Sequence, residues 1–146
     1  MRPIVAVLLT IATLAMQQAS AQQGAISYQP TISDVMMLQQ MRHIKLWFAG
    51  SAANWALADY EIDQLKDGFD DIDQRLGGDT VGKAVGAATA ALEKAVEAKD
   101  RAAFAGAFDQ LSAGCNSCHR TLDHAFIVIQ RPATLPYSDQ SFAAPK

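Results

Sequence analysis

Between Asp100 and Pro132 the residues Phe104, Phe108, Leu111, Cys115, Cys118, Leu122, Ala125 and Ile129 recur at alternating steps of four and three. That spacing lays a single apolar stripe along a helix of 3.6 residues per turn and excludes a strand, whose period is two. Asp100 is placed to cap this helix and Pro132 to stop it. An apolar stripe of this length has to be covered, so the rest of the chain must supply elements that pack on it.

Three further helices are readable upstream. Thr31 followed by Asp34 fits a capping box that opens a first helix running to about Phe48, with Met37, Met41, Ile44 and Phe48 as its inward stripe. Gly50 to Ala53 break it, and Asn54 is placed to cap the next. The second helix carries Ala58, Ile62, Leu65, Phe69, Ile72 and Leu76 and ends at Gly77-Gly78. Asp79 or Thr80 caps the third, whose stripe of Val81, Val85, Ala88, Leu92 and Ala95 is small enough to predict close packing.

Short connections and the lack of any alternating pattern predict an all-α fold, an up-down-up-down antiparallel four-helix bundle with a non-helical C-terminal tail. With 146 residues, half of them apolar, there is room for one compact domain. About five apolar side chains per helix, at roughly 1.5–3 kcal/mol each, supply a sufficient gross driving force. The bundle is expected over 22–131 and the irregular tail over 132–146, with Leu135, Tyr137 and Phe142 as anchors onto the bundle.

Residues 1–21 read as a cleaved signal peptide: Arg2, a short apolar run from Ile4 to Met16, and the small residues Ala19, Ser20 and Ala21. The run is too short for a transmembrane helix, so the mature chain is expected to be periplasmic with no membrane span. Its acidic balance, with neither a basic block nor a glycine-rich loop, argues against nucleic acid and phosphorylated ligands. Acidity either serves solubility or steers a basic partner.

Export demands an explanation for two cysteines, because thiols outside the cytoplasm are usually oxidised or occupied. They lie in Cys115-Asn116-Ser117-Cys118-His119, a C-x-x-C-H sequence that is the attachment signature of c-type haem. Two thiols three residues apart share a helix face and reach one side of a porphyrin, and the adjacent histidine can turn onto the iron. A thioredoxin-type disulfide would need a strand-to-helix context. A structural zinc site would need four ligands, and only His43 and His124 remain to supplement the motif.

At these residues the chain resembles the class II c-type cytochromes, which include cytochrome c-prime and the low-spin cytochromes c-556. They are exported four-helix bundles of similar length with C-x-x-C-H in the last helix. The resemblance implies one covalent haem c on Cys115 and Cys118, with His119 as proximal axial ligand. It also implies a homodimer as one possible state, paired through the first two helices. Members often carry a basic residue four positions after the histidine and end soon afterwards, whereas here Asp123 and a proline-punctuated tail follow. Asp123, one turn beyond His119, is a candidate hydrogen-bond acceptor on the proximal side. His124 lies about 140° around the helix from His119, too far to share the iron.

In that family the residue facing the open side of the haem comes from the first helix. Here periodicity points to Met41 and ligand strength to His43, and a vacant sixth position is the third alternative. Arg42 and Lys45 are candidates to meet the haem propionates, while Trp47 and Trp55 are expected to pack. No acid–base pair or nucleophile for substrate chemistry is apparent. The expected function is therefore one-electron transfer with a redox partner protein, and the alternative is a five-coordinate haem module that binds NO or CO.

Overall fold

The computed structural model describes residues 28–145, so the expected signal peptide lies outside the described residues. The chain divides at Pro30, and the unit beginning at Thr31 carries four helices: α1 (Ile32–Ser51), α2 (Trp55–Leu76), α3 (Thr80–Glu97) and α4 (Arg101–Thr121). Among the described residues there is no strand, and the fold is an all-α four-helix bundle. No helix among them is long and apolar enough to cross a membrane.

Local chemistry sets the helix starts. Thr31 and Asp34 form the expected capping box, with the Asp34 amide donating to Thr31 Oγ1 at 3.2 Å and the Thr31 amide to Asp34 Oδ2 at 2.7 Å. Asn54 accepts from the Leu57 amide, and Asp100 accepts from those of Ala102 and Ala103. Asp79 makes no side-chain cap for α3. That work falls to Asp73 on α2, whose two carboxylate oxygens take the amides of Val81 and Gly82 at 2.8 Å each, which also ties the α2–α3 corner together.

The stripes of α2 and α3 face inward as their periodicity requires. Ile62, Leu65 and Ile72 are buried in one core with Val81, Val85 and Leu92, although Leu76 at the end of α2 is exposed. Close packing of α3 is concentrated at Gly114 of α4, where a Cβ would collide with the Ala84 carbonyl oxygen. Helix α1 is turned from expectation. Its buried residues are Val35, Gln39, His43, Leu46, Ala49 and Gly50, whereas Met41, Ile44 and Phe48 are half-buried and Met37 is exposed. Two polar side chains occupy the inner face because each finds a partner there: Gln39 Nε2 donates to the Leu65 carbonyl at 2.7 Å, and His43 meets Ser112.

Helix α4 ends at Thr121, eleven residues before Pro132. Asp123 adopts a left-handed conformation at φ 61°, the His124 amide returns to the His119 carbonyl at 2.7 Å, and the Asp123 amide returns to that of Arg120. This is a Schellman closure with aspartate in the place glycine usually takes. Leu122 and Ile129, expected on the helix stripe, belong instead to a chain that doubles back. The returning segment and tail follow the seam between α1 and α4. Arg131 bonds Asp109 and stacks 4.3 Å from the Trp47 ring, Tyr137 lies under Lys45, and Phe142 is buried beside Phe48. Leu135 stays exposed and is not an anchor.

Candidate functional site

Helices α1 and α4 touch least among the neighbouring pairs, and the returning segment fills only part of the space between them. What remains is a cleft of about 250 Å³. Met36, Met37, Gln40 and His43 of α1 form one wall, Leu111, Cys115 and His119 of α4 the other, and Ile127 and Ile129 a third side.

Of the expected site residues the cleft brings together Cys115, His119 and His43. Cys118 is not on the lining; it is buried behind it, on the side of the helix toward Asp73. Both thiols are uncrosslinked. Burial first, then the neighbouring Cys118 thiol, pushes Cys115 up to about 12; burial and the Asp73 carboxylate push Cys118 up as well. Thiols held protonated in this way, at the far end of a 21-residue helix, are unlike the low-pKa pair of a thioredoxin-type centre. Among the described residues no three His, Cys, Asp or Glu side chains gather to hold a metal ion.

His119 is oriented by the chain that doubles back. Its Nδ1–H donates to the Ile127 carbonyl at 3.0 Å, since a carbonyl can only accept. In that tautomer the lone pair is on Nε2, the arrangement by which a metal-binding imidazole is usually fixed. Asp123, one candidate for such an acceptor, sits instead in the left-handed turn. His124 points away, bonded to the Leu122 carbonyl and packed 5.8 Å from the Phe126 ring.

His43 is 5% exposed, and desolvation by burial lowers it to about 4, so it is neutral at pH 7. The Ser112 hydroxyl donates to the Phe108 carbonyl at 3.1 Å, so its oxygen accepts from His43 Nε2–H at 2.8 Å. Nδ1 is the nitrogen left with a lone pair. Met41 does not line the cleft. Arg42 is also directed elsewhere: its Nη1 donates to Gln39 Oε1 at 3.0 Å and to the Gln64 carbonyl at 2.5 Å, within the α1–α2 interface. Lys45 lies over the Tyr137 ring.

Four contributors to the site carried no signal in the sequence reading. Ser112 is one polar residue inside an apolar stripe, Asn116 is a variable position of the motif, Ile127 acts through its backbone, and Met36 lies beside the stripe that was expected. Compared with known proteins, the chain matches no family model, no curated protein and no solved structure.

Proposed function

We propose that this protein is an exported c-type cytochrome that carries single electrons, with one haem held by thioether bonds to Cys115 and Cys118 and by His119 on the iron. The carrying observation is the His119 Nδ1–H bond to the Ile127 carbonyl, which leaves Nε2 free beside a cleft that Cys115 also lines. Bound there, the haem would supply the one-electron centre. Cys115 and His119 fit it from the lining, and Cys118, buried behind them one turn along the same helix, would have to turn its thiol toward the ring to form the second bond. A cleft of about 250 Å³ falls below the roughly 300–1,000 Å³ of small-molecule pockets, so a macrocycle would extend past its mouth. Apolar side chains are exposed around lining residues there: Met37 at 66%, and Phe126 and Val128, which flank Ile127, at 80% and 71%.

The register of α1 on α4 bears on the sixth ligand. Trp47 packs over Phe108 with ring centroids 5.0 Å apart, and His43 meets Ser112 one turn further along the antiparallel pair. Two more turns in the same sense, toward the start of α1 and the end of α4, bring Met36 level with His119. A thioether from Met36, rather than from Met41, is therefore the sixth ligand we propose. The acidic residues Asp59, Asp63, Asp67 and Asp70, all exposed along one face of α2, suit a basic redox partner through long-range attraction.

The test is expression of the full chain in a cell competent for cytochrome c maturation. The processed polypeptide should gain the mass of one haem, retained after acid-acetone extraction, and Cys118→Ser should lower the yield of such protein. A mass equal to the bare polypeptide overturns the proposal. Ready binding of carbon monoxide by the reduced wild type would favour gas binding over electron transfer.

A further inference from the structure

We propose that Asn116 is a positioning residue for His119: its side-chain amide latches the returning chain so that the Ile127 carbonyl stays on the imidazole. The inference rests on reading His119 as the iron ligand. Asn116 is one of the two residues enclosed by the cysteines, and it makes a matched pair of bonds with the backbone of one residue. Its Nδ2 donates to the Ile129 carbonyl at 2.8 Å, and its Oδ1 accepts from the Ile129 amide at 2.7 Å. An amide in this position serves the returning chain as a neighbouring strand would, and both bonds fix which end of the amide is oxygen.

The spacing turns this latch into a device. Asn116 and His119 are three residues apart on α4, a rise of about 4.5 Å. Ile129 and Ile127 are two residues apart on a chain running the other way, about 6.6 Å if extended. Pinning Ile129 to Asn116 thus delivers the Ile127 carbonyl to the height of His119 Nδ1, where the bond of 3.0 Å is found. The turn at Leu122 to His124 is the rival support, because the Ile127 amide also bonds the His124 carbonyl at 2.9 Å. Arg131, which ties the chain to Asp109 two residues beyond Ile129, gives a control that loosens the same segment without touching the latch.

A histidine that donates Nδ1–H to a carbonyl is a more basic ligand and favours the oxidised metal. The test therefore reads the imidazole itself before reading any potential. In the haem-free full chain, long-range ¹⁵N–¹H correlation should find His119 as a single Nδ1–H tautomer. In Asn116→Ala the ring nitrogens should shift toward an average with a substantial Nε2–H fraction, and Asn116→Asp, which keeps the acceptor and loses the donor, should fall between. Arg131→Gln should match the wild type. In the haem-loaded protein the midpoint potential should rise in Asn116→Ala and not in Arg131→Gln. An unchanged His119 tautomer in Asn116→Ala, or an equal change in Arg131→Gln, overturns the latch, as does an unchanged potential with only a lowered melting temperature. Should Asn116→Ala not fold, Asn116→Asp decides by the same readouts. If no haem is taken up, the function proposed above fails while the tautomer measurement still decides the latch.

Discussion

His43 Nε2–H meets the Ser112 hydroxyl at 2.8 Å, a buried bond between residues 69 apart in sequence that sets α1 against α4. It also leaves a neutral imidazole inside the bundle, because burial lowers His43 to about 4 from its ordinary 6.5. Between those values the unfolded chain binds a proton that the folded chain refuses, so stability rises with pH across that window. The contribution is complete above about pH 6.5 and is lost as pH falls toward 4, about 3 kcal/mol in total. His43→Gln keeps a donor for Ser112 and cannot titrate. Urea midpoints at pH 7 and pH 4.5 should differ less in this variant than in the wild type, and equal differences would deny the buried neutral state.

The α1–α4 register makes Met36 and Met41 separable. Met36 lines the cleft and Met41 does not, and counting turns from the His43–Ser112 bond puts Met36 at the height of His119. Met36→Ala is expected to abolish the weak long-wavelength band of a methionine-ligated ferric haem and to open the reduced iron to carbon monoxide, while Met41→Ala leaves both unchanged. Loss of the low-spin spectrum in His43→Ala with Met36→Ala silent would give the position to histidine, through the Nδ1 lone pair that the Ser112 bond leaves free.

Glycines on facing helices should respond to alanine with opposite signs. At Gly114 a Cβ would collide with backbone at Ala84, which cannot swing aside as a side-chain end can, so Gly114→Ala should cost about 1–3 kcal/mol. At Gly86 nothing lies within 4 Å of the added atom, and Gly86→Ala should stabilise α3 by about 0.5–1 kcal/mol. Thermal or urea unfolding of the two variants checks both signs.

What was legible in the sequence follows what is local. The capping box at Thr31 and the caps at Asn54 and Asp100 involve partners within three residues, and the stripes of α2 and α3 are apolar, so residue type and burial agree along them except at Leu76, where the helix end is exposed. The rotation of helix α1 is not encoded in its apolar pattern, because Gln39 and His43 are polar yet buried and are satisfied only by the tertiary partners Leu65 and Ser112. The end of α4 is hidden in the sequence because aspartate is an uncommon residue for a left-handed closure. The C-x-x-C-H motif was plain, but the acceptor for His119 is a backbone carbonyl eight residues away, which no side-chain pattern encodes.

The tail gives the last prediction. Phe142 is buried to 7% exposure with its ring 6.2 Å from that of Phe48, and the following Ala143 carbonyl accepts from Asn54 Nδ2 at 3.1 Å. Asn54 also caps α2 through its oxygen, so one amide joins the tail to the α1–α2 corner. Phe142→Ala removes a buried ring at the edge of the core and should cost about 3 kcal/mol, toward the low end for such a change because the site opens to solvent and can relax. Deleting residues 136–146 should cost as much or more, since it also removes the Tyr137 ring beneath Lys45 and frees the second hydrogen of the Asn54 amide. The cleft lies toward the start of α1, away from this corner, so both changes should lower the unfolding midpoint without moving the spectrum of the loaded protein. A truncated chain as stable as the wild type would mean the tail does not hold the bundle, and a spectral change would mean that the corner and the cleft are coupled.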